Sequence, residues 1–193
     1  MILAFESAVK STSPFPHFRV SEILPNSAAD QVLRWFEDDA PWKLTIADFY
    51  EQYEFSLLNA SLAPGVDRLV EDGFVANIAE NLERSFSIDG KLELADITAH
   101  KLVAGQTIRI HNDFIGPEET HRLLIQINSG WTARQGGLLM LFGSDQPESL
   151  QSVLLPSHGS GFAFEISPVS FHAVSSINSG ERYTLVYTFR KRS

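Results

Sequence analysis

The chain has 193 residues, with 24 acidic and 15 basic side chains and a net charge of −9. That length suits a continuous apolar core, and 44% hydrophobic with 20% charged residues excludes a mainly disordered chain. The absence of cysteine excludes disulfides, zinc fingers, iron–sulfur clusters and thiol nucleophiles, while no apolar run approaches the roughly 18 residues of a membrane span.

Ser27 is the expected N-cap of a first helix, with Val32, Leu33, Trp35 and Phe36 on its apolar face. After Pro64-Gly65, the helical spacing of Val66, Leu69, Val70, Phe74, Ile78, Leu82 and Phe86 predicts a second helix. Residues 30–99 carry fifteen acids against five bases, which reads as a solvated helical surface. Such a segment repels phosphate backbones, so nucleic acid is not an expected partner, and without a long apolar run neither is a membrane. The chain opens without the basic and then apolar pattern of a secretory signal, so a cytoplasmic protein is expected.

From about Leu92 the texture changes to short strands. The candidates are Leu92–Leu102, Thr107–His111, Leu123–Asn128, Leu138–Phe142, Ser152–Leu155, Gly161–Glu165, His172–Ser176 and Tyr183–Phe189. Turn-forming groups divide them: Gly116-Pro117, Asn128-Ser129-Gly130, Gly136-Gly137, Pro147, Ser157–Gly161 and Asn178-Ser179-Gly180. Strands at this spacing suggest a sandwich or jelly roll. The expectation is one β-rich α+β domain over 1–193, with helical support over about 1–90 and a strand core over about 91–193.

Among the six histidines, the sharpest local signal is His111-Asn112-Asp113 at a strand end. Residues i and i+2 share a strand face, so an imidazole and a carboxylate can meet one metal. Alone the motif is weak, since roughly 0.3 occurrences are expected by chance in such a composition. His172, embedded in Ser170-Phe171-His172-Ala173-Val174, supplies a third ligand. Two histidines and one carboxylate form the facial set that holds non-haem Fe(II) with positions left open. Ten residues on, Arg182 and Thr184 share a strand face. A buried guanidinium beside such a site needs an anion, and a dicarboxylic acid supplies a bidentate one, with the Thr184 hydroxyl placed to donate to it. A metal hydrolase and a non-catalytic cupin-like metal- or ligand-binding module are the competing classes; Arg182 disfavours the latter.

With these residues in view, the sequence resembles the Fe(II)/2-oxoglutarate-dependent dioxygenases, on the prolyl-hydroxylase-like branch. The resemblance rests on Pro14-Phe15-Pro16-His17-Phe18, Leu24-Pro25, Gly105 six before His111, and Arg122 to Asn128 followed by Trp131 and Gly136-Gly137-Leu138. Phe171–Val174 and Glu181-Arg182-Tyr183 match the distal half. It implies a double-stranded β-helix (jelly roll, cupin-like) with N-terminal helices packed on the larger sheet. Fe(II) would be held by His111, Asp113 and His172. Arg182 would anchor the distal carboxylate of 2-oxoglutarate, assisted by Thr184 and Gln126. O2 would be the second cosubstrate and ascorbate an optional reductant.

The implied activity is hydroxylation of an unactivated C–H bond in an amino-acid side chain of a peptide or protein. The same chemistry on a free amino acid or small natural product is the alternative. Asp113 argues against the related halogenases, which replace that carboxylate. Leu102 and Ile108 stand where the family often has tyrosines, Gln126 replaces another, and Leu138-Leu139 lacks the common glutamate. These departures leave the iron and 2-oxoglutarate anchors intact but weaken the case for a prolyl substrate. His17 is expected to pack or cap, and His100, His121 and His158 to lie on surfaces or loops. Arg122 either faces substrate or makes a structural ion pair. Trp35, Trp42, Phe49, Tyr50, Tyr53 and Phe55 either line a substrate lid or pack in the core.

Overall fold

Two antiparallel sheets organise the computed structural model, which describes residues 5, 7–116 and 118–192. In chain order, strands β1 (Val9–Ser11) and β2 (His17–Val20) precede helix α1 (Asn26–Asp38). Strands β3 (Lys43–Ile46) and β4 (Glu51–Ser56) then lead to helix α2 (Asp72–Phe86). The remainder is β5 (Lys91–Val103), β6 (Ile108–His111), β7 (His121–Gln126), β8 (Leu139–Phe142), β9 (Leu150–Leu154), β10 (Gly161–Glu165), β11 (His172–Val174) and β12 (Glu181–Arg192). The larger sheet runs β1-β2-β10-β7-β12-β5-β4-β3 and the smaller β6-β11-β8-β9. This is the jelly-roll arrangement expected, and the two helices pack on the larger sheet.

All eight predicted strands are present as β5–β12, with β12 extended at both ends. The first half differs from its expected helical texture, because β1–β4 lie there and widen the larger sheet at both edges. Gln52-Tyr53-Glu54-Phe55 alternates polar and aromatic residues, a strand period that the acidic composition concealed. Helix α1 is capped by Pro25, whose carbonyl accepts the amides of Ala28 and Ala29 at 2.9 and 3.0 Å. Ser27 therefore lies inside the first turn instead of capping it. The second apolar stripe is not one helix. Asp67–Val70 forms a separate 3-10 turn, and Glu71 is extended (φ −62°, ψ 137°) before α2 begins. Val66 and Leu69 still enter the same core as α2. Of the predicted turn residues, Pro117 lies outside the described residues.

Strand β12 is buried along most of its length on both faces. Its Tyr183, Leu185, Tyr187 and Phe189 point into the core shared with the helices. With a period of two, Arg182, Thr184, Val186 and Thr188 point the other way, into the space between the sheets. The same alternation puts Ile97 and Ala99 of β5 on the helix side and Asp96, Thr98 and His100 on the cavity side. Polar residues on a face that a sandwich normally fills with apolar ones mark a site, because buried polar groups require partners. Below them, Phe15, Leu102, Trp131, Leu139, Leu141, Phe162, Phe164 and Val174 close the apolar base between the sheets.

Candidate active site

Between the sheets is a cavity of about 500 Å³. His111 and His172 are direct neighbours across the β6–β11 pair, so both imidazoles enter the cavity from the smaller sheet. Asp113 joins them by a different route from the one its spacing suggested. Strand β6 ends at His111, and Asp113 has a left-handed backbone (φ 61°) that turns its carboxylate back toward the two rings. Aspartate tolerates this region better than most residues. The segment is stitched down by Asn112, whose Nδ2 donates to the Pro168 carbonyl at 3.1 Å while its own carbonyl accepts from Ser170 Oγ at 2.8 Å.

The three side chains converge. One ligand atom from each of His111, Asp113 and His172 lies within 4.8 Å of the others. Asp113 Oδ1 is 3.3 Å from His111 Nε2, and Oδ2 is 3.3 Å from His172 Nε2. The Nδ1 atoms of His111 and His172 each lie 2.8 Å from a backbone carbonyl, of Arg109 and Ser170 respectively. A carbonyl only accepts, so Nδ1 carries the proton and each neutral ring turns its Nε2 lone pair inward. Phe49 stacks on His111 with centroids 4.4 Å apart, and Phe164 meets the His172 ring edge-on at 5.0 Å. Burial and the neighbouring His111 lower the His172 pKa, favouring the neutral ring. Burial alone would raise the Asp113 pKa, but the Arg122 charge and the bonds from both histidines hold it well below the usual carboxylate range.

Arg122 settles as an ion-pair residue that also lines the cavity. Its Nη1 lies 2.8 Å from Asp113 Oδ2 and its Nη2 lies 2.7 Å from Glu119 Oε2. Arg182 is different: it is 3% exposed and faces the cavity without an acidic partner among the described residues. Its Nε donates to the Gly137 carbonyl at 2.9 Å and its Nη1 to Thr184 Oγ1 at 2.8 Å, while Nη2 has no partner. Burial lowers its pKa to about 10, which still leaves the guanidinium charged at neutral pH. Thr184 donates to Gln126 Oε1 at 3.1 Å, so its proton is not free for a ligand as its spacing suggested. Gln126 is buried behind Thr184 and does not line the cavity. The pair orients the guanidinium from the rear.

The remaining histidines depart partly from expectation. His17 packs, with Nδ1 2.9 Å from the Phe15 carbonyl. His158 lies in a loop beside Asp30. His100 and His121 are not on loops or open surface: His100 lies on β5 facing the cavity, and His121 is buried in β7. Burial, reinforced by Arg122, pushes the His100 pKa down to about 3. Trp35, Trp42 and Phe55 pack with Phe36, whereas Phe49 and Tyr50 line the cavity. Gln52, Glu54, Asp96 and Thr98 also line it and were not singled out in the sequence. Their signal was the two-residue alternation of β4 and β5.

A jelly roll that aims two histidines and a carboxylate into one cavity, beside a buried guanidinium, defines a mononuclear metal-site architecture. The orphaned Arg182 Nη2 and the inward Nε2 lone pairs fit an anionic cosubstrate next to a metal ion. Residues 97–189 match the family model described as 2OG-Fe(II) oxygenase superfamily. It is 26% identical over 196 residues to the prolyl 3-hydroxylase OGFOD1 of Xenopus laevis, covering 91% of this chain and 34% of that protein. The chain thus spans about a third of the length of this curated relative. Among solved structures, a prolyl-4-hydroxylase of Pseudomonas putida superposes with a TM-score of 0.72 at 16% identity, over 91% of this chain and 92% of the other. A prolyl hydroxylase of Trichoplax adhaerens, in complex with a hypoxia-inducible-factor peptide fragment, gives 0.69 at 10% identity over 91% and 83%.

Proposed function

We propose that this chain is an Fe(II)- and 2-oxoglutarate-dependent hydroxylase acting on an amino-acid side chain within a peptide or protein. The observation that carries the reading is Arg182, a buried cation with an unsatisfied Nη2 beside three convergent metal donors. A simple metal-binding module has no use for such a clamp, whereas a dicarboxylate cosubstrate does. His111, Asp113 and His172 would hold the iron, and Arg182 the distal carboxylate. When bound, iron and 2-oxoglutarate supply the oxidising chemistry, coupling decarboxylation of the cosubstrate to oxygen transfer onto a C–H bond.

The chain's own part is binding, orientation and exclusion of water. The Arg109 and Ser170 carbonyls keep each imidazole in one tautomer, and Arg122 keeps Asp113 ionised. Thr184 and Gln126 fix the fork of Arg182. Phe49, Leu139, Phe164 and Val174 wall the metal side with apolar surface. OGFOD1 and the Pseudomonas protein are prolyl hydroxylases, which favours a prolyl side chain, and the peptide in the Trichoplax complex favours a macromolecular substrate. An apolar lip agrees with this: Phe114 and Ile115, 43% and 92% exposed, border the cavity. A cytoplasmic location belongs to the same proposal.

The test is 2-oxoglutarate affinity. Arg182→Lys keeps the charge and loses the planar fork. Loss of a buried charge-assisted bond costs about 1.5–3 kcal/mol, so the apparent 2-oxoglutarate constant is expected to rise about ten- to a hundredfold. Arg182→Ala is expected to raise it further, with metal affinity in the absence of cosubstrate barely changed. Wild-type 2-oxoglutarate affinity in both variants would remove Arg182 as the anchor.

A further inference from the structure

Opposite the metal donors, β4 and β5 form a second polar wall. Glu54 lies directly across from His100 in the strand register, and Gln52 precedes it by two on the same face. Gln52 is 2% exposed, and its Nε2 donates to Glu54 Oε2 at 2.7 Å. That bond fixes the amide orientation, because the reverse one would set an oxygen against a carboxylate. Gln52 Oε1 is left buried with no partner. It is an acceptor awaiting a donor. Asp96, further along the wall, uses Oδ1 to accept from Ser56 Oγ at 2.6 Å and from the Ile97 amide at 2.8 Å.

Neither Glu54 nor Asp96 forms an ion pair among the described residues. Lys43 stands across from Glu54 in the β3–β4 register, yet it is exposed and makes no ion pair with it. Four carboxylates and two guanidinium groups line the cavity: Glu54, Asp96, Asp113 and Glu119 against Arg122 and Arg182. Fe(II) and the 2-oxoglutarate dianion cancel each other in charge. The loaded cavity therefore keeps two excess negative charges, and Glu54 and Asp96 are the two carboxylates without a cation. Unpaired charge in a half-buried site calls for an opposite one from the ligand.

We infer that the substrate carries a cationic side chain, an ammonium or guanidinium, which seats on Glu54 and Gln52 while the oxidised carbon faces the metal. This rests on the hydroxylase reading and narrows its substrate class to basic peptides or cationic amino acids. A donor-only group is what the wall selects, since it satisfies the Glu54 carboxylate and the orphaned Gln52 oxygen together. An apolar side chain would leave the Glu54 charge without a cation and the Gln52 oxygen without a donor.

The experiment compares matched probes by calorimetry on the full chain with Ni(II) and 2-oxoglutarate. Nine-residue peptides with a central proline carry lysine at each flanking position in turn, paired with norleucine at the same position. Free lysine and arginine form a second arm, which separates a peptide source of the cation from a free amino acid. At least one lysine peptide, or a free cationic amino acid over norleucine, is expected to bind about tenfold tighter than its partner. The preference should fall to about twofold or less in Glu54→Gln and reverse toward glutamate-bearing probes in Glu54→Lys. Gln52→Leu, with its fold checked by circular dichroism, should weaken the cationic probes selectively. Equal binding of charged and neutral partners, a neutral or acidic preference in the wild type, or no binding of any probe would overturn the inference. Affinity for 2-oxoglutarate, measured separately, reports on the hydroxylase reading: its loss with a retained cation preference would sink that reading alone.

Discussion

Arg182 owes its direction to a glycine 45 residues earlier, because its Nε donates to the Gly137 carbonyl at 2.9 Å. Gly137 has φ +65°, and a Cβ there would stand 2.8 Å from Arg182 Cδ and 2.7 Å from Ile177 Cδ1. Gly137→Ala therefore meets a strained backbone and pushes on the stem that carries the guanidinium. Left-handed backbone costs a non-glycine residue about 1–2 kcal/mol, so a lower melting temperature is expected. Displacement of the fork should also weaken 2-oxoglutarate about tenfold, comparable to loss of one charged hydrogen bond. Titration of 2-oxoglutarate against the variant checks this, and unaltered affinity would show that the fork tolerates the shift. The same residue scale explains Asp113. Its place in the donor set was legible from the His-x-Asp spacing, but the strand-face argument for it was wrong, since φ 61° takes the residue off the strand.

At the scale of elements, β7 packs α2 through His121, whose ring lies 5.1 Å from that of Phe86. Burial, aided by Lys191, lowers the His121 pKa to about 4. The unfolded chain then takes up a proton near pH 6.5, while the folded chain resists until about pH 4. Stability from this neutral ring is fully present above about pH 6.5 and declines as pH falls toward 4, by at most ~1.4 kcal/mol per pH unit. Melting temperatures across that window should slope less in His121→Gln than in the wild type. Equal slopes would mean that His121 titrates in the folded state as it does when unfolded. Strands β5–β12 were legible because turn residues punctuate them and their apolar positions recur at a period of two. Strands β1–β4 were less so. They are short, and their place at the edges of the larger sheet follows from pairing with distant strands, such as β2 with β10 and β4 with β5.

For the whole molecule, one sheet serves two interiors. The helices cover one face of the larger sheet with apolar contacts, and the smaller sheet caps the other around the cavity. The double alternation along β5 and β12 makes this possible, and it separates what could be read in advance from what could not. His111, His172 and Arg182 stand in motifs with internal order, so their convergence was expected from the family resemblance. Gln52, Glu54 and His100 stand in no motif. Only the pairing of β4 with β5 brings them to the cavity, and pairing between strands so far apart in the chain is not written in local spacing.

The central claim is that His111, Asp113, His172 and Arg182 form one metal- and cosubstrate-binding unit. Its most direct test needs no knowledge of the substrate: succinate formed from 2-oxoglutarate by the purified chain in air, with and without Fe(II). Slow, Fe(II)-dependent succinate formation is expected in the wild type. It should fall at least about a hundredfold in His111→Ala, Asp113→Ala and His172→Ala, with circular dichroism unchanged, a loss of the size seen when one member of a catalytic unit is removed. Fe(II)-independent turnover, no turnover in the wild type, or full turnover in any one of these variants would contradict the claim.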